Sequence, residues 1–166
     1  MKQLDLIPDE NTMMTLAQAR QYIEQGRAEG VNCPCCSKLV KSYTRKLNAN
    51  MAAGLIWLVR QFEKQGNGEF VDVANDAPRE MVRSNQISSL KYWGLVEPAD
   101  QIVENGHKRG SGLWRPTKNG IDFAYNRKKV ESHATLADDT CLGLSGSTSI
   151  TDALKDKFNY GDLITA

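Results

Sequence analysis

One apolar stripe constrains this chain more than any other feature. After Asn50, the residues Met51, Leu55, Ile56, Leu58, Val59 and Phe62 recur at helical spacing, and the pattern stops at Gln65-Gly66-Asn67-Gly68. Apolar side chains at that period line one face of a helix, and the face must be covered by other elements to leave water. The segment is therefore expected to be a buried helix and the seat of the core. A chain of 166 residues suffices for one such core with a small satellite. The apolar fraction of 40% and charged fraction of 25% are those of a chain that folds, so the flanking segments should pack around the stripe.

Upstream, Thr15-Leu-Ala-Gln18 reads as a capping box, and Leu16, Ala19, Tyr22 and Ile23 follow at helical spacing until Gly26 and Gly30. The cysteine cluster Cys33-Pro34-Cys35-Cys36 comes next. The basic run Lys38 to Lys46 follows it, and a helix there would set Lys38, Lys41, Arg45 and Lys46 along one side.

Downstream of the stripe, Glu69 to Val73 alternates like a short half-buried strand, and Asn75-Asp76-Ala77-Pro78 offers a helix start. Residues 79 to 93 read as two short helices with a turn at Arg83-Ser84-Asn85, the second ending at Gly94. Leu95 to Glu97 reads as a strand, Pro98 to Gly112 as a loop, and Leu113 to Arg115 as the returning strand. Thr117 should cap a helix running to about Lys129. Glu131 to Ala137 and Thr140 to Leu144 suggest a hairpin across Asp138-Asp139. Ser149 to Asp152 forms a second capping box ahead of Ile150, Leu154 and Phe158.

The order of elements across residues 48 to 129 resembles the winged helix-turn-helix family. Leu90-Lys-Tyr-Trp-Gly-Leu-Val-Glu97 is similar to the end of that family's recognition helix entering its first wing strand. Leu113-Trp-Arg-Pro-Thr-Lys-Asn-Gly120 is similar to its second wing strand turning into a helix. More loosely, the whole chain resembles small uncharacterised bacteriophage proteins that pair a Cys-Pro-x-Cys element with a Trp-Gly-Leu segment. The resemblance implies an α+β fold in three parts. Residues 1–47 would hold an N-terminal helix and Cys-rich turn, residues 48–130 the winged-helix core, and residues 131–166 a C-terminal hairpin and helix packing on that core.

It also implies a site. Residues 84 to 92 would form the recognition helix, with Ser84, Asn85, Gln86, Ser88, Ser89 and Lys91 facing outward. Asn and Gln side chains pair with adenine edges, and Arg83 or Lys91 could reach guanine or phosphate. The glycine-bracketed loop Asn105 to Gly112 would be the wing tip, its Lys108 and Arg109 neutralising phosphate, with Arg115 in the strand behind.

Charge distribution agrees with a nucleic-acid surface in the middle of the chain. Residues 38–130 carry 16 basic and 9 acidic side chains, although the whole chain carries only +1. The implied function is a sequence-specific double-stranded DNA-binding protein, a transcription regulator of phage type, which could work as a homodimer. The near-neutral total keeps an alternative open, a protein-binding module of the same fold that occupies a host protein.

Cys33 and Cys36 form a C-x-x-C pair in a Pro-initiated turn of zinc-knuckle type. A structural zinc takes four ligands, and Cys35, His107, His133 and Cys141 are the remaining Cys and His side chains. Three cysteines within four residues do not space a secreted disulfide framework, so a reducing compartment is expected. No apolar run approaches the roughly 18 to 20 residues of a membrane helix, and the N-terminus lacks the pattern of a signal peptide; cytoplasmic residence follows as an expectation. Catalysis is not expected. The chain has two histidines and none of the phosphate-loop, G-x-S-x-G or H-E-x-x-H patterns.

Overall fold

The computed structural model describes residues 13–100, 102–104 and 107–166, and for 102–104 and 107–109 it describes backbone only. The fold is mixed α+β with small sheets, and the chain divides into two compact units. One comprises Met1–Thr44 with Thr135–Leu142, the other Arg45–Ala134 with Gly143–Ala166. Residues 135–142 group with the N-terminal segment. Within that unit the Lys38 ammonium meets the Asp138 carboxylate at 3.0 Å. Among the described residues no helix is long and apolar enough to cross a membrane.

In the N-terminal unit, α1 (Leu16–Gly26) starts at the expected capping box, with Thr15 and Gln18 each bonding the other's backbone N–H. Only Ala19 of this helix is buried. Strands β1 (Val31–Asn32) and β2 (Leu39–Val40) form a tiny hairpin around the cysteines, and β3 (Tyr43–Lys46) follows. The basic run is thus extended rather than helical. Val40, Tyr43 and Thr44 favour a pleated backbone, and the Ser42 N–H is held by the Arg27 carbonyl at 2.7 Å. Lys38, Lys41, Arg45 and Lys46 consequently share no helix face.

The second unit is organised by α2 (Ala49–Gln65), which carries the apolar stripe. Its cap is Asn48, whose carboxamide oxygen accepts the Met51 N–H at 3.0 Å, two residues ahead of Asn50. Met51, Leu55, Ile56, Leu58 and Val59 are buried, as are Leu90, Leu95, Phe123, Ile150 and Leu154 in the elements that follow. Burial of such side chains contributes about 1.5–3 kcal/mol each, which makes α2 the structural centre.

Strand β4 (Val71–Asp72) is shorter than its alternation suggests, because the Asp72 carboxylate accepts the Asn75 N–H and starts α3 (Val73–Asp76). Helix α4 (Arg79–Ser84) begins after Pro78 and ends at Asn85, whose φ of 47° and ψ of 33° are left-handed. Helix α5 (Gln86–Ser89) runs straight on into a 3₁₀ turn, Leu90–Trp93, which Gly94 closes. The expected pair of helices and the turn between them are both present.

Strands β5 (Val96–Pro98) and β8 (Leu113–Pro116) pair antiparallel, Glu97 opposite Arg115, and β4 lies on the other edge of β8. The segment 98–112, expected as a plain loop, contains its own hairpin of β6 (Ile102–Glu104) and β7 (His107–Arg109). Thr117 caps α6 (Lys118–Ala124), which ends with Tyr125 as its C-cap, just before the left-handed Asn126, rather than near Lys129. Gly120 of α6 sits so close to Leu95, the residue before β5, that a Cβ would lie 2.0 Å from the Leu95 carbonyl oxygen.

Strands β9 (His133–Ala137) and β10 (Thr140–Ser145) form the expected hairpin, with positive φ at Asp138 and Asp139. Helix α7 (Ile150–Leu154) begins at the Ser149–Asp152 capping box but stops at Lys155, where φ is 52° and ψ −146°. Phe158 therefore lies outside that helix, and Asn159 caps a final helix, α8 (Tyr160–Thr165).

Candidate nucleic-acid interface

The residues around Asn85 owe their placement to two packing constraints. Ile87 is pressed onto α2 at Gly54, where an added Cβ would meet the Ile87 side chain at 2.9 Å. Trp93 is buried and donates its indole N–H to the Glu131 carbonyl at 2.8 Å. These anchors fix the inner side of α5 and its 3₁₀ extension. What remains outside is polar.

Arg83, Ser84, Asn85 and Lys91 are exposed. The Ser84 hydroxyl donates to the Met81 carbonyl at 3.1 Å, and the Ser88 hydroxyl to the Asn85 carbonyl at 2.9 Å. Gln86 accepts a hydrogen bond from the Asn48 carboxamide at 3.2 Å, which leaves its own NH₂ as a donor. The Lys91 ammonium lies 5.0 Å from the centre of the Tyr92 ring. Ser89 is buried, at 6% exposure, and does not face outward. The left-handed turn at Asn85 resets the helical phase, so positions before and after it cannot be assigned to one continuous face.

Lys108 and Arg109 fall in β7, with Val103 opposite Lys108 and Ile102 opposite Arg109. The side chains of His107, Lys108 and Arg109 lie outside the described residues. Arg115 is not an idle cation. Its guanidinium stands 4.6 Å from the centre of the Phe70 ring and is paired with the Glu97 carboxylate across β5 and β8.

The α4–α5 turn also borders a cleft of about 360 Å³, lined among others by Met81, Ser84, Gln86, Ile87, Lys157 and Phe158. The Lys157 ammonium on its rim bonds the Asn50 carboxamide oxygen at 2.8 Å. Sequence reasoning did not associate Lys157 or Phe158 with this surface. Their position depends on the backbone reversal at Lys155, for which the sequence carries no Gly or Pro as a signal.

The chain matches no family model, no curated protein and no solved structure. What this surface can do therefore follows from its own groups. Carboxamides at 85 and 86 offer hydrogen bonds to base edges, and the exposed cations at 83 and 91 offer charge to phosphate.

In the N-terminal unit, the Cys33-Pro34-Cys35-Cys36 turn brings three thiols close together. The backbone N–H groups of Cys35 and Cys36 point at the Cys33 sulfur and hold its pKa below the ordinary thiol value. Burial and the neighbouring Cys33 sulfur push the Cys35 thiol up. No disulfide joins the four cysteines. Among the described residues no group of three or more His, Cys, Asp or Glu side chains is arranged to hold a metal.

Proposed function

We propose that this chain is a winged-helix protein that binds double-stranded DNA in the cytoplasm and regulates transcription without catalysis. The observation that carries the reading is the sheet of order β4–β8–β5, whose β4 precedes and whose β5 follows the α4–α5 segment, with the β6–β7 hairpin between β5 and β8 along the chain. That order ties the helix bearing Asn85, Gln86 and Lys91 to the hairpin bearing Lys108 and Arg109 through one short strand. In this reading the helix enters the major groove and the hairpin rests on the phosphate backbone. A homodimer would enlarge a contact area that is small for a single module.

The test is titration of a random-sequence duplex from low to high salt. Phosphate contacts release condensed counterions, so affinity should fall steeply as salt rises. Absence of binding even at low salt would overturn the reading. A second reading, a module that docks on another protein, is favoured by one observation: Glu97 already neutralises Arg115 behind the hairpin, on a chain whose total charge is only +1.

A further inference from the structure

The cleft beside the α4–α5 turn is a cavity that the fold leaves unfilled, and all of its lining belongs to one compact unit. Asn50, Ala53 and Gly54 recur at i, i+3 and i+4 of α2 and so share one face. Ala53 and Gly54 carry no side chain long enough to fill the space, and both are buried beneath it with Ile87. Helix α4 buries none of its residues, and its Met81 lines the cleft while only half-buried. The backbone reversal at Lys155 ends α7 and is followed by Phe158, also half-buried, on the same cavity.

A volume of about 360 Å³ lies within the range of small-molecule sites, about 300–1,000 Å³. Met81, Ile87 and Phe158 offer it a thioether, a branched alkyl group and an aromatic ring, surfaces that suit a flat apolar body. Among the described residues that line it, Lys157 is the one cation and Glu80 the one carboxylate. The Lys157 ammonium stands 5.6 Å from the centre of the Phe158 ring and bonds the Asn50 carboxamide oxygen at 2.8 Å. Both of these partners are uncharged, so they steer the ammonium to the cleft while its charge and further N–H donors remain for a ligand. We propose that this cleft binds a small aromatic monocarboxylate, with its ring against Met81, Ile87 and Phe158 and its carboxylate on the Lys157 ammonium. The site stands whether or not the chain binds DNA, and its test contains no duplex.

The probes are naphthoate, its uncharged amide and the cationic naphthylmethylamine, each titrated into the full chain carrying isotope-labelled methionine methyl groups. NMR reads the Met81 methyl signal, identified by its loss in Met81→Leu. The expected result is a saturable shift of that signal by naphthoate, which binds about fivefold tighter than naphthamide, the upper end for an exposed ion pair, with the amine weakest. Lys157→Gln should weaken naphthoate to the naphthamide level and leave naphthamide unchanged, a pattern that a misfolded variant does not give. Glu80→Gln removes a like charge and should strengthen naphthoate without changing naphthamide. A Met81 signal that no probe moves would overturn the proposal, as would naphthamide matching naphthoate or the amine binding tightest. The three probes on the unsubstituted chain decide among these outcomes even where a charge variant fails to fold.

Discussion

Asp152 determines how one helix end responds to acid. The Ser149 hydroxyl, and behind it the Ser149 backbone N–H, hold its carboxyl below the usual carboxylate range. A folded value below the unfolded one stabilises the fold at pH above about 4, and that contribution is lost as pH falls through the folded value. Asp152→Asn does not titrate, so the stability advantage of the unsubstituted chain over this variant should shrink between pH 7 and pH 3 in urea denaturation. A gap that stays constant would contradict the assignment. Gly120 makes a steric demand instead. Gly120→Ala drives a methyl group toward the Leu95 carbonyl, which stands 2.0 Å from the Cβ position, so a loss of about 3 kcal/mol is expected in the same assay. Ser89 illustrates where residue-level reading fails. It is expected to face outward, but α5 buries Ser89 together with Ile87.

At the scale of elements, caps decide where helices begin. Asn48→Ala removes the acceptor for the Met51 N–H and should cost about 1 kcal/mol, whereas Asn50→Ala removes only an exposed contact to Lys157 and should cost much less. Equal losses in denaturant would show that Asn48 is not the cap. The apolar stripe of α2, the two capping boxes, the Thr117 cap and the Asp138-Asp139 turn were legible because each is a local signal with its own hydrogen bonds or period. The basic run at 38–46 was misread as helix because its charges happen to recur at helical spacing, while its β-branched and aromatic residues form strands. The cleft beside α5 was invisible for a different reason. It joins Ser84 and Gln86 to Phe158 across more than 70 positions, and no pattern within either segment announces the other.

At the scale of the molecule, the near-neutral total conceals the feature that matters for a polyanionic partner. Residues 38–130 hold 16 of the 21 basic side chains, and the acidic excess is confined to the two ends. Phosphate binding is set by the local cations rather than by the sum, and each neutralised phosphate adds roughly 0.9 to the slope of log affinity against log salt. The most direct measurement is therefore that slope on a duplex long enough to span the contact, for the unsubstituted chain and for a Lys108→Ala, Arg109→Ala variant. The account predicts salt-sensitive binding whose slope falls by about 2 in the variant. Equal slopes and equal affinities for the two proteins would contradict it.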